Sequence, residues 1–240
     1  MTEPGVASAH EWGTAPDFVG PRHELRERLL QRTFLDARPG TTVLNVGAGQ
    51  GTFTRLLEEL GFDVVSTDVS EPALAVLRRV ARGEVLPADV TALPFAGGSF
   101  DAVVAGEVLE HVRDDRAALV EVARVLRPAG VLALSVPAHP EWFGPSDRWA
   151  GHVRRYSRGG LERSIKGAGL ALERVVPWGF PVSALYHRAL YDKRASVLAA
   201  DPHPRSLALG VLRLALNVDR LFVGVERGCL GYLAVARAAS

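Results

Sequence analysis

The sequence predicts an α/β fold built on a mostly parallel sheet with helices over both faces. Three observations predict it. Short apolar, β-branched runs alternate with amphipathic helical runs between Thr41 and Val136. A glycine-rich turn joins the first apolar run to the helix after it, and an acid closes each of the next two runs.

The elements follow in order. Thr41–Val46 reads as a strand, Gly51–Leu60 as a helix, Phe62–Thr67 as a second strand and Glu71–Ala81 as a second helix, capped by Ser70 with Pro72 in its first turn. Val85–Ala88 is a brief third strand and Phe100–Ala105 a fourth. Asp114–Leu126 is an amphipathic helix stopped by Arg127-Pro128, and Val131–Val136 is a fifth strand. Residues 1–20 show no period and read as an arm. Arg22–Ala37 reads as a helix with apolar positions at Leu25, Leu29, Leu30, Phe34 and Leu35, ended by Pro39-Gly40.

After Val136 the rhythm changes. Pro137–Ser157, rich in Pro, Gly, Trp and His, is expected to be one long loop, and such loops are commonly functional. Arg158–Ala168 reads as a helix and Leu170–Val176 as a strand. Phe180–Ala200 and Ser206–Val225 read as two helices around Asp201-Pro202-His203-Pro204, and Leu230–Ala236 as a last strand.

With 240 residues, 48% of them apolar and a net charge of +1, the chain can bury a sizeable core and carries no charge excess calling for nucleic acid or a membrane. A single cysteine, Cys229, excludes a disulfide within the chain. The first residues lack the pattern of a signal peptide, and no apolar run approaches the ~20 residues of a membrane span, so a cytoplasmic protein is expected, as a monomer or homodimer.

Val43-Leu44-Asn45-Val46-Gly47-Ala48-Gly49-Gln50-Gly51 places the glycine turn where an open parallel sheet binds ligands. The position five after Gly47, where a dinucleotide fold wants glycine, is Thr52. The G-x-G-x-G spacing suits a nucleoside cofactor without a pyrophosphate. Asp68, 21 residues after Gly47, can accept both ribose hydroxyls, and Asp89, followed by Val90, can accept the amine of adenine while the Val90 backbone meets a ring nitrogen. The same acids would equally serve as turn formers at strand ends.

Val43–Gly51, Val65–Leu74, Ala88–Val112 and Arg124–Pro137 together resemble the class I S-adenosylmethionine-dependent methyltransferases. The resemblance implies a Rossmann-like, doubly wound seven-stranded sheet, mostly parallel with an antiparallel last strand, plus a helical insertion. It also implies S-adenosylmethionine as cofactor, with Asn45, Gly47, Ala48, Gly49, Asp68, Val69, Asp89, Val90 and Glu107 around it. Asn45 departs from the family, which usually places an acid there toward the methionine part of the cofactor. One domain over 1–240 is expected: an arm and helix (1–40), a cofactor-binding core (41–137), an active-site loop (138–157) and a helical insertion or lid (180–226).

Glu107-Val108-Leu109-Glu110-His111 resembles the Glu-x-x-Glu-His metal site of quinone-biosynthesis O-methyltransferases. On a helical turn, Glu107, Glu110 and His111 share a face and would hold Mg²⁺ or another divalent ion, which would polarise an acceptor hydroxyl. Without a metal, His111 would pack beside the cofactor. His139-Pro140-x-x-Phe143 and Asp147-x-x-x-Gly151-His152-x-Arg154-Arg155-Tyr156 resemble a bacterial methyltransferase subfamily, associated with cell-surface or secondary metabolism. His111, His139 and His152 are the candidate catalytic residues; an imidazole titrates near ~6.5 and can take a proton. Asp147, Arg148, Arg154, Arg155 and Tyr156 either bind an anionic or polyhydroxylated acceptor or pin the loop, and Trp142, Phe143 and Trp149 either wall the acceptor or pack the loop down.

The function expected is methyl transfer to an oxygen atom of a small molecule. The alternative is a protein of the same fold that binds the cofactor for non-methylating chemistry such as cyclisation, or that has a non-catalytic role. A nucleic-acid substrate is disfavoured: there is no basic stripe, and Gly106-Glu107-Val108 follows the fourth strand in place of a Pro-Pro-aromatic run.

Overall fold

A computed structural model describes residues 21–32, 40–191 and 213–239. The elements are α1 (Pro21–Arg32), β1 (Thr42–Val46), α2 (Thr52–Glu59), β2 (Asp63–Asp68), α3 (Glu71–Val80), β3 (Val85–Pro87), β4 (Phe100–Gly106), α4 (Asp115–Val125) and β5 (Leu126–Pro137). They continue with α5 (Pro145–Ala150), α6 (Arg158–Gly167), β6 (Ala171–Trp178), α7 (Val182–Tyr186) and β7 (Gly231–Arg237).

The sheet has seven strands in the order β3-β2-β1-β4-β5-β7-β6. β1 lies parallel to β2, from Thr42 opposite Asp63 to Val46 opposite Thr67, and parallel to β4, from Val43 opposite Ala102 to Val46 opposite Ala105. β7 runs antiparallel to both β5 and β6. The chain winds outward from β1 to β3, then restarts on the other side of β1 at β4. The crevice between β1 and β4 is therefore the switch point, and ligands bind there beyond the carboxyl ends of the strands.

Alternation along the strands divides the core. Leu44, Val46, Val103 and Leu134 join Leu119 and Val122 of α4 and Leu161 and Ile165 of α6 on one face. Val43, Val104 and Ala133 meet Leu25, Leu29 and Leu30 of α1 and Phe53 and Leu57 of α2 on the other. Side-chain oxygens start the helices: Ser70 accepts from Ala73 N (3.4 Å), Asp114 from Ala117 N (2.9 Å) and Ser157 from Gly160 N (3.1 Å).

Four expectations need correction. The stretch 137–157 is not one loop: it holds a 3₁₀ turn at Pro140–Trp142 and the helix α5, and Ala138 bridges to Tyr156. β5 begins at Leu126 rather than Val131, because Leu126 already pairs with Phe100 before the register shifts and resumes at Ala102 opposite Val131. The expected helix 180–200 is, within the described residues, the short α7 continued by a π-helical turn over His187–Tyr191. The second, 206–225, shows a helical turn from residue 213 that tightens to 3₁₀ over Asn217–Phe222. The buried Asp219 carboxylate accepts from Val182 N (2.7 Å) and Ser183 N (2.8 Å) and so caps α7 from that turn. The arm 1–20, the end of the first helix (33–37) and residues 192–212 of the two C-terminal helices lie outside the described residues.

Candidate functional site

A cavity of about 770 Å³ opens at the switch point. Asn45, Gly47, Ala48, Gly49, Asp68, Val69, Asp89, Val90 and Glu107 all border it, as do His111, Trp149, His152 and Arg155. The glycine turn is shaped for close approach. Gly47 has φ +59°, and a Cβ there would lie 2.6 Å from Val108 Cγ2. Asp68 is held rigidly, accepting from Gly49 N at Oδ2 (2.8 Å) and from Ser70 N at Oδ1 (2.9 Å). Each oxygen keeps a second lone pair for a hydroxyl. Asp89 Oδ1 accepts from Thr91 N and Thr91 Oγ1 (both 2.8 Å), so the turn-forming role is real and fixes a carboxylate on the cavity wall.

Asn45 borders the cavity but spends its amide nitrogen inward. Nδ2 donates to Thr54 Oγ1 (3.0 Å), which lies 2.9 Å from Ser66 Oγ in a buried polar chain between β1, α2 and β2.

Residues 107–112 do not form a helix. Glu107 sits at φ +59° with its N–H bonded to Ser135 O (3.0 Å), and two overlapping turns follow, His111 N to Val108 O and Val112 N to Leu109 O. This breaks the shared face expected of Glu107, Glu110 and His111. Glu107 Oε2 instead lies 3.7 Å from Arg26 Nη1 of α1. Among the described residues, the group whose ligand atoms all lie within 4.8 Å of one another is Glu110, His111 and His152. Glu110 is fully buried and neither of its oxygens has a hydrogen-bond partner. Burial first, and the Glu107 charge second, push its carboxyl well above the usual carboxylate range. Burial also pushes His111 down to about 4, helped by His152, whose ring meets it edge-on at 4.7 Å.

α5 and the segment after it build the other end of the cavity. His152 Nδ1 lies 2.8 Å from Asp147 Oδ1. Arg155 Nε donates to both Asp147 oxygens (2.8 and 2.9 Å), and Arg155 Nη2 lies 2.9 Å from His187 Nε2. Burial alone would raise the Asp147 pKa, but the His152 bond, the Arg155 charge and the Gly144 N–H together hold it below its ordinary value. The His187 imidazole is pushed down to about 3 by burial and then by the Arg22 and Arg155 charges.

The other sequence candidates lie off the cavity wall. His139 bonds Glu141 (2.9 Å), stacks on Trp142 and has Cys229 Sγ at 3.7 Å. Trp142 also carries the Arg188 guanidinium over its ring at 4.7 Å, and Phe143 has Arg148 at 6.0 Å. Tyr156 donates to Asp115 Oδ2 (2.7 Å), and Arg154 pairs with the same carboxylate (3.1 Å), pinning the segment to α4. Of the expected acceptor residues, Trp149 and Arg155 reach the cavity. Sequence reasoning missed Arg22, Arg26, Trp178 and His187. For the first two a signal existed: Arg22, Arg26 and Leu30 recur every four residues beside the apolar stripe of α1, and all three border the cavity.

Among the described residues, no helix is long and apolar enough to cross a membrane. Residues 44–134 match the family described as the methyltransferase domain. The demethylmenaquinone methyltransferase of Renibacterium salmoninarum is 38% identical over 138 residues, 57% of this chain and 58% of that protein. Its counterpart from Beutenbergia cavernae is 42% identical over 120 residues, 48% of this chain and 50% of that one. The chain thus spans little more than half the length of these curated relatives. A Haemonchus contortus phosphoethanolamine N-methyltransferase 2, solved in complex with S-adenosyl-L-methionine, shares the fold with a TM-score of 0.65 at 21% identity, over 95% of this chain and 55% of that one. The seven-stranded order, the glycine turn at its switch point and these matches support a class I S-adenosylmethionine-dependent methyltransferase, with the match to the methyltransferase domain carried by residues 44–134.

Proposed function

We propose that this chain methylates a hydroxyl-bearing small molecule from S-adenosylmethionine, with His152 as the general base. The observation that carries the proposal is the Asp147–His152 pair on the cavity wall. The cofactor fits the residues present: the Gly47 and Gly49 turn, Asp68 and Asp89 border one cavity, and Asp68 keeps lone pairs free for hydroxyls. Bound there, S-adenosylmethionine supplies a methyl carbon on a sulfonium for in-line displacement.

The chain supplies the rest. Asp68 takes the ribose, Asp89 and the Val90 backbone take the adenine, and Trp149 and Trp178 wall the acceptor space. With Asp147 ionised, the shared proton sits on His152 Nδ1, which leaves Nε2 as a lone pair able to take the acceptor's proton. Asp147 fixes that tautomer and stabilises the imidazolium once it forms. The names of the curated relatives favour a quinol-like acceptor, and a cavity walled by indoles suits a planar ring.

A second reading rests on Glu110. A sealed, unpartnered carboxyl beside two imidazoles also suits a divalent cation. The test of both is a screen of phenols and quinols for S-adenosylhomocysteine release, with wild type and His152→Asn, before and after a chelator. Base catalysis predicts a loss of roughly a hundredfold or more in His152→Asn and no effect of chelation. Chelator loss restored by a divalent ion assigns the cation instead. Acceptor conversion without S-adenosylhomocysteine release would mean non-methylating chemistry.

A further inference from the structure

His187 lies between two hydrogen-bond donors. Its Nδ1 is 2.9 Å from Arg22 Nη1 of α1, and its Nε2 is 2.9 Å from Arg155 Nη2. A guanidinium donates and never accepts. A neutral imidazole has one lone pair and one N–H, and an imidazolium has two N–H groups. In either state at least one ring nitrogen turns an N–H toward an arginine N–H. An acceptor entering between those two donors would relieve the contact, and all three residues border the cavity.

The neighbours decide which side of the ring carries the proton. Arg155 is buried and its Nε donates to both Asp147 oxygens, so its guanidinium is fixed. Arg155 Nη2 therefore meets a lone pair at His187 Nε2, which leaves the N–H on Nδ1, facing Arg22. Arg22, in the first turn of α1, is partly exposed and is the member of the set that can swing. The charges acting most strongly on the ring are the two guanidiniums, ahead of the Asp147 carboxylate. That carboxylate is already divided among Arg155, His152 and Gly144 N. One guanidinium and one ring N–H match the two oxygens of a planar carboxylate.

We propose that Arg22 and His187 form a receptor for a carboxylate on the methyl acceptor, with Arg155 setting the His187 tautomer. The proposal rests on the acceptor reading above and narrows it, from a ring bearing a hydroxyl to a ring bearing a hydroxyl and an acid. Asp147 serves both ends: Oδ1 takes the His152 Nδ1–H, and the same carboxylate holds Arg155 behind His187. The acceptor's two polar groups are thus addressed from one buried anion, and the span between them selects the acceptor. Arg22 and His187 both lie outside residues 44–134.

Calorimetry on the full chain saturated with S-adenosylhomocysteine tests it, with the isomeric hydroxybenzoates and their uncharged amides as probes. Wild type is expected to bind at least one acid roughly tenfold or more tighter than its amide. Arg22→Gln should bring that preference to near parity without weakening the amide, and Arg22→Lys should restore part of it. Undiminished S-adenosylhomocysteine binding reports that each variant is folded. Wild type that prefers no acid over its amide, or equal losses of acid and amide in Arg22→Gln, overturns the receptor. His152→Asn should keep the preference for the acid, so a failed base shows in turnover and a failed receptor in binding.

Discussion

Asp147 and His152 stand five residues apart in sequence, and their Oδ1 and Nδ1 atoms lie 2.8 Å apart across the C-terminal end of α5. The short helix folds back through Gly151 at φ +74° and aims both side chains at one end of the cavity. Asp147→Asn replaces the ionised acceptor and removes the preference for the Nδ1–H tautomer. The expected outcome is a fall in kcat of roughly a hundredfold or more. The Tm should fall as well, because the buried Arg155 loses its counter-charge. Steady-state kinetics beside thermal melts would show both; unchanged kcat would remove Asp147 from the chemistry.

Gly47→Ala places a Cβ 2.6 Å from Val108 Cγ2 on a backbone at φ +59°. The left-handed conformation alone costs about 1–2 kcal/mol with a side chain, and the contact adds to it. Adding Val108→Ala should recover the steric part and not the backbone part. Urea melts of the single and double variants measure the division, and equal stability of the two would refute it.

His187 gives the fold an acid-side weakness. Its pKa of about 3 lies below the ordinary value of 6.5, so the folded state binds fewer protons than the unfolded one. The resulting stability is complete above about pH 6.5 and is lost as pH falls toward 3, at up to about 1.4 kcal/mol per pH unit. Urea melts at pH 7 and pH 4 should show a larger acid loss in wild type than in His187→Gln. Parallel losses would mean that the imidazole is not held neutral between Arg22 and Arg155.

Asp219→Ala strips the cap from α7 and leaves two backbone N–H groups without their acceptor. A destabilisation of about 1–3 kcal/mol is expected. His187 follows α7 directly, so acceptor turnover should suffer while nucleoside affinity, set at the opposite end of the cavity, stays constant. Parallel loss of both would show that the two ends are not independent.

The sheet was legible because its signals are local. Strands such as Val43–Val46 and Phe100–Ala105 are apolar over their whole length, as strands covered on both faces must be, and glycines and caps mark their ends. That Asp68 and Asp89 border one cavity was legible for the same reason, since these acids close consecutive strands. The acceptor end was less so. Trp178 ends β6 and His187 follows α7, and only the packing of those elements brings them to the cavity. His139 carries a motif as conspicuous as that of His152, yet the turn at Pro140–Trp142 directs its ring to Trp142 and Cys229. The helical spacing proposed for Glu107, Glu110 and His111 failed at one backbone angle, the positive φ of Glu107, which periodicity does not encode.

The cavity is walled by two kinds of chain. Gly47, Asp68, Asp89 and Glu107 lie within residues 44–134, while Arg26, Trp149, His152, Arg155, Trp178 and His187 lie before or after them. Under the proposed function, the acceptor end of the cavity is thus built largely by residues outside 44–134. If that end receives the acceptor, substitutions at Trp149, Trp178 or His187 change acceptor preference without touching Gly47, Asp68 or Asp89.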